Sequence, residues 1–197
     1  MLDYIRSSII VRIEMDHAPQ LPDASQSPIS NLLNPSFVVT REHLRHAISS
    51  GDIGSLRLLS QHHTAKPSEV LPDAIREGND KATIALLESP HVEFLSENDP
   101  SFLACCSSDN VRAALLLLRD KRFSCGLYAS RYTEEAIRCK SLDVINLLVK
   151  HEAFVPKQYQ SGLLVQGCNT GDISVVNALV NGLLPKSVTD RVVVAAI

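Results

Sequence analysis

His43 and His46 stand three residues apart on a segment predicted to be helical, a spacing that two ligands of one metal ion could use. A stable zinc site needs further ligands, and His62-His63 lies in a different segment. The four are read as solvated surface histidines, and no metal or cofactor is expected. Cys105-Cys106 could form a redox pair in principle. Neighbours on a helix point in different directions, so buried thiols acting as small hydrophobes are the expectation. Cys139 comes just before a turn, where exposure would make it modifiable and not catalytic. Phosphate loops, nucleophile elbows and zinc-protease helices are missing from the sequence. No catalytic residue is assigned, and the chain is not expected to be an enzyme. Arg119, Lys121 and Arg122 form a short basic cluster near a predicted helix end, read as a solvated face that suits the helix dipole. A docking patch for an acidic partner is the sharper alternative.

The elements that carry these residues belong to a soluble, aliphatic chain. Of 197 residues, 45% are hydrophobic and 21% charged, with a net charge of −3. The basic excess of a nucleic-acid binder is lacking. Aromatics are 5% with no Trp, so an aliphatic core is expected. Five cysteines without regular spacing make a poor disulfide framework. Arg6, Arg12 and Glu14 break the N-terminal apolar stretch, and no run reaches the roughly 20 apolar residues of a membrane span. An intracellular, cytoplasmic chain is the expectation, with the nucleus as the second compartment.

The chain repeats itself. Ala47, Ala74, Ala104, Ala136, Gly167 and Ala196 form a column with spacings of 27, 30, 32, 31 and 29. A turn follows each of the first five: Gly51-Asp52, Gly78-Asn79-Asp80, Ser108-Asp109, Lys140-Ser141 and Gly171-Asp172. Glycine past a helix end takes the left-handed conformation. Asp52, Asp80, Asp109, Ser141 and Asp172 then serve as N-caps of a second helix, which is a structural role and not acid–base chemistry. The second helices carry an apolar stripe, one column being Leu56, Ile84, Ala113, Ile145 and Val176, and another Leu59, Leu87, Leu116, Leu148 and Leu179. First helices are predicted to start near Ser68, at Asp99-Pro100 and at Ser187. A short amphipathic helix cannot bury its face alone and must stack on neighbours.

These columns resemble the ankyrin repeat, a unit of about 33 residues. The Thr-Pro-Leu-His opening of that family is missing from every unit. The small-residue helix, the turn and the Leu-Leu helix remain, with Ala74-Ile75-Arg76 and Ala136-Ile137-Arg138 as first-helix centres and Leu86-Leu87-Glu88-Ser89-Pro90-His91-Val92 as a connector. The resemblance covers about residues 39–197. It implies an all-α solenoid of stacked helix-turn-helix units, about five plus the first helix of a sixth, preceded by a Pro-containing segment over residues 1–38. It further implies a protein-binding module whose contacts are the two residues before each turn: Ser49 and Ser50, Arg76 and Glu77, Cys106 and Ser107, Arg138 and Cys139, Asn169 and Thr170. Their mixed polarity suits a protein surface better than a nucleic acid.

Two further expectations attach to this reading. The array could be the regulatory region of a larger enzyme or signalling protein whose catalytic part is absent from the chain. Residues 187–197 read as the lone first helix of a sixth unit, leaving an apolar edge open to self-association.

Overall fold

The computed structural model describes residues 37–95, 97–125, 129–151 and 153–184. They form an all-α fold in which ten α-helices fall into five consecutive pairs: α1 (Arg41–Ser49) with α2 (Ile53–Ser60), α3 (Leu71–Arg76) with α4 (Asp80–Leu87), α5 (Pro100–Ser108) with α6 (Val111–Arg119), α7 (Ala129–Cys139) with α8 (Leu142–Leu148), and α9 (Gln160–Asn169) with α10 (Ile173–Leu183). Short 3-10 turns at Pro67–Glu69 and Lys157–Tyr159 precede α3 and α9. Among the described residues there is no strand, so the connectors that are described are loops and turns and not β-hairpins.

One backbone event ends every first helix. Gly51, Gly78, Asp109, Lys140 and Gly171 all have positive φ, between 53° and 70°. That left-handed residue reverses the chain, and the next residue caps the second helix. The caps are Asp52, Asn79, Asn110, Ser141 and Asp172. In the first four pairs the cap N–H also donates to a carbonyl five residues back, on Ala47, Ala74, Cys105 and Ala136. Glycine adopts the left-handed region at no steric cost. Asp109 and Lys140 do so against a penalty of about 1–2 kcal/mol each.

This geometry corrects the sequence register in two units. Asp80 is not a cap; Asn79 is, and accepts the Ala82 N–H at 3.0 Å. Asp109 is not a cap of its own unit; it occupies the left-handed position, and Asn110 accepts the Ala113 N–H at 3.0 Å. The small-residue column therefore passes through Cys105 and not Ala104. The caps then lie 27, 31, 31 and 31 residues apart, so the period is tighter than the residue columns alone indicate. Seven residues after each cap stands a leucine: Leu59, Leu86, Leu117, Leu148 and Leu179, all fully buried. Leu87 and Leu116 are half-buried and Ile84 is 40% exposed, so the core stripe of α4 and α6 lies one residue away from its expected place.

Packing is between equivalents. Each first helix from α3 onward lies on the next, α3 on α5, α5 on α7 and α7 on α9, while α2, α4, α6, α8 and α10 pack in the same sequence. Gly167 belongs to the small-residue column because a Cβ there would collide with Leu179. Polar staples cross the same seams. Asn110 Nδ2 donates to the Ile75 carbonyl at 3.1 Å, and Ser141 Oγ to the Cys106 carbonyl. Because the Ser141 hydroxyl is used that way, Asp109 of the preceding pair accepts the α8 first-turn N–H groups of Asp143 and Val144 at 3.4 and 3.0 Å. An anion at a helix N-terminus is favourable, which offsets part of the strain at Asp109.

The core is not purely aliphatic. Phe102 stacks on Phe123 and Phe154 with ring centroids 5.0 and 5.5 Å apart, and meets the edge of Tyr132 at 4.8 Å. The Tyr132 hydroxyl accepts the Asp99 N–H at 2.8 Å, and burial raises its pKa to about 12. Five of the seven described aromatics, Phe94, Phe102, Phe123, Tyr132 and Phe154, gather in one cluster. The first helix begins at Asp99-Pro100 as expected, whereas Ser68 lies in the 3-10 turn before α3. The N-terminal segment up to residue 36, Ser187–Ile197 and the sixth-unit helix fall outside the described residues.

Candidate functional site

A left-handed turn ends each of the five first helices. Two residues before each turn stand Ser49, Arg76, Ser107, Arg138 and Asn169, and all five are exposed. One residue before it, Ser50, Glu77 and Ser108 are exposed, whereas Cys139 and Thr170 are half-buried. Cys106 is fully buried and cannot be a surface contact; the corrected register puts Ser107 and Ser108 in its place. The preceding position is core in four units: Ile48, Ile75, Cys106 and Ile137. Burial of that residue fixes the helix rotation, and thereby turns the next two outward.

The hydroxyls of this row bond back to their own helices. Ser49 Oγ donates to the Arg45 carbonyl, Ser107 Oγ to Ala104, Ser108 Oγ to Ala104 and Thr170 Oγ1 to Gly167, at 2.7–3.1 Å. The three serine hydroxyls keep lone pairs free as acceptors, whereas Thr170 Oγ1 also accepts the Asp172 N–H at 3.2 Å. The charged members are held by neighbours. Arg138 forms a two-pronged pair with Glu135, at 2.9 and 2.5 Å, which holds that carboxylate below its ordinary pKa. Arg76 reaches Asp73 at 3.3 Å. Asp73 also takes Arg41 and Arg45 from α1, at 3.3 and 2.7 Å. Burial raises the Asp73 pKa, and the hydrogen bonds from Arg45 and Arg41 more than reverse it. Shallow clefts open beside the row, one lined by Arg45, Ser49, Asp73, Arg76 and Glu77, another by Leu103, Arg131, Glu134, Glu135 and Arg138.

The other residues singled out from sequence are used locally. His43 is half-buried, and its Nδ1 accepts the Thr40 N–H at 3.2 Å; His46 is exposed. Among the described residues, no three of His, Cys, Asp or Glu gather as a metal site. Cys105 and Cys106 are fully buried, and burial pushes both thiols far above their ordinary pKa, as inert small hydrophobes should be. Cys139 is half-buried, its pKa raised by burial and by Glu135. Of the basic cluster, Arg119 and Lys121 are solvated. Arg122 instead donates to the Leu87 and Ser89 carbonyls at 2.6 and 2.7 Å, pairs with Asp120 and lies over the Phe94 ring. It closes the end of α4 from the next unit, a role no local sequence signal marks.

Comparison with family models, with curated proteins and with solved structures finds no match for this chain. Among the described residues, no helix is long and apolar enough to cross a membrane.

Proposed function

We propose that this chain is an α-solenoid of five ankyrin-like helix pairs, and that it binds another protein along the ends of its first helices. The observation that carries the reading is the exposed row Ser49, Arg76, Ser107, Arg138 and Asn169, set out by five equivalent left-handed turns. Each helix packs mainly on its own partner and on the equivalent helices of adjoining pairs, which is the contact pattern of a stacked repeat. Such an array holds its outward side chains at fixed spacing, so a partner can engage several of them with little loss of conformational freedom. The row offers paired charges and hydroxyl acceptors, a mixture suited to a protein surface. With a net charge of −3, the chain offers no general attraction to phosphates. Catalysis is not part of the proposal.

A photo-reactive side chain in place of Ser107 tests it. Irradiation in a cell extract should give a discrete adduct that is lost in the Arg76→Glu, Arg138→Glu double variant while the helical content is unchanged. The same adduct obtained from a probe at Arg119, or adducts indifferent to both charges, would overturn the reading.

A further inference from the structure

The fifth pair leaves open what the earlier pairs bury. α3, α5 and α7 are each followed by another first helix packed on them. Three residues before their left-handed turns stand Ile75, Cys106 and Ile137, and seven before them Leu71, Phe102 and Thr133, all fully buried. That side of the helix looks toward the next pair, since the Ile75 carbonyl accepts from Asn110 and the Cys106 carbonyl from Ser141. On α9 the equivalents are Cys168, which is exposed, and Leu164, which is half-buried, and beside them Val165 is 61% exposed. The second helix agrees. Four residues after the cap, Leu56, Thr83, Ala114 and Ile145 are buried, whereas Val176 of α10 is half-buried. An open apolar face at the end of a stacked array calls for a cover.

The chain carries a matching face within reach. Val193, Ala196 and Ile197 have the spacing of Leu71, Ala74 and Ile75, and Ala196-Ile197 repeats the Ala-Ile of α3 and α7. Val193 stands 21 residues after the cap Asp172, and Leu71, Phe102, Thr133 and Leu164 stand 19 to 23 residues after the caps of the pairs before them. The reach from cap to apolar face is therefore that of the other pairs. Ser187, with Asp190 three residues on, is the predicted helix start. We propose that residues 187–197 are the occupant of the open face: they seat as a helix along α9, turn Val193, Ala196 and Ile197 toward Leu164 and Cys168, and close the array. A helix this short is marginal in water by itself, so the α9 face supplies most of its stability. The seat rests on the stacked-pair reading and not on the partner: its failure would leave the Ser107 adduct in place, and loss of the adduct would leave the seat intact.

Cys168 is the probe, because seating turns an exposed thiol into a buried and unreactive one. Iodoacetamide alkylation of the native 197-residue chain, read thiol by thiol after digestion, should modify Cys168 at least about tenfold more slowly than in a Val193→Asp, Ile197→Asp variant. Half-buried Cys139 should react alike in both chains, and the fully buried Cys105 and Cys106 should stay unmodified, which reports that the array is folded. Hydrogen exchange gives a reading that needs no variant: in wild type the amides of residues 191–197 should exchange at least about tenfold more slowly than in an unstructured peptide. Equal Cys168 rates in the two chains, or exchange at the unstructured rate, would each overturn the seat. So would protection that disappears on dilution from about 50 µM to about 1 µM, which would place a second copy on the face instead.

Discussion

The Ser141 hydroxyl donates to the Cys106 carbonyl, 35 residues back in the chain, and both residues are buried. Asn110 makes the same link to Ile75, also 35 residues back. Two of the second-helix caps, Asn110 and Ser141, are therefore also staples to the preceding pair. Asn110 both accepts and donates, so it caps its own helix and staples the seam. Ser141 staples only, and Asp109 takes over the capping of α8. Asp52 and Asp172 accept N–H groups of their own helices, and a carboxylate has no proton to give a seam carbonyl.

This division of labour predicts two distinct losses. Ser141→Ala should leave the Cys106 carbonyl unpaired in the core and destabilise the chain by about 1–3 kcal/mol. Asn110→Asp keeps the acceptor for the Ala113 N–H and turns the donor to Ile75 into a carboxylate oxygen, so its loss reports the seam bond together with the repulsion that replaces it. Urea unfolding of both variants, with far-UV detection, checks this. If Asn110→Asp matches wild type, the seam bond contributes nothing.

Much of this was legible in the sequence, and the reasons for the misses are local. Gly51, Gly78 and Gly171 announced three turns, because glycine is the ordinary occupant of the left-handed position. At Asp109 and Lys140 the same conformation is held by non-glycine residues, so these two turns were marked by the repeat spacing alone, and the first was placed one residue early. Ala104 beside Cys105 drew the small-residue column one place early, since cysteine packs as a small hydrophobe equally well. The outward row before the turns was readable because helix rotation follows the buried position. Asp109 capping α8 and Arg122 closing α4 were not, since each acts across more than 30 residues of separation.

The corrected register makes a paired prediction. Leu117 is fully buried in the seven-after-cap column, whereas its neighbour Leu116 is half-buried. Leu117→Ala should cost about 2–5 kcal/mol, the usual loss for a truncated core leucine, and Leu116→Ala should cost less than about half of that. Equal losses in thermal unfolding would mean that the stripe runs as the sequence columns first placed it.

Thr83 occupies the position that Leu56, Ala114, Ile145 and Val176 hold in the other pairs, four residues after the cap. It is 1% exposed, and its Oγ1 is the one buried side-chain polar atom without a hydrogen-bond partner among the described residues. A buried hydroxyl that loses its water partners and gains none is destabilising. Thr83→Val keeps the shape and removes the hydroxyl, so it should raise stability by up to about 1–2 kcal/mol. Chemical denaturation settles the sign, and a clear loss would show that the hydroxyl is satisfied by an ordered water.

Asp120 and Arg122 give the acid limb of the stability curve a specific origin. The Asp120 carboxylate takes the Arg122 N–H at 2.9 Å and its guanidinium at 3.0 and 2.7 Å. The Arg122 side-chain hydrogen bond, working against burial, holds the Asp120 pKa below the ordinary carboxylate value. A carboxylate with a depressed folded pKa stabilises the fold above its unfolded value, about 3.9, and that contribution disappears as pH falls through the folded value. Protonation also releases the guanidinium that Asp120 aims at the Leu87 and Ser89 carbonyls, so the closure of α4 weakens with it. Asp120→Asn should therefore lower the urea midpoint at pH about 6 and converge on wild type only once pH has fallen through the lowered folded pKa of Asp120, where both side chains are neutral. Arg122→Ala should be the more damaging change at pH about 6, because it removes the carbonyl donors as well. Parallel acid-limb curves for Asp120→Asn and wild type would show that the pair does not contribute to the pH dependence.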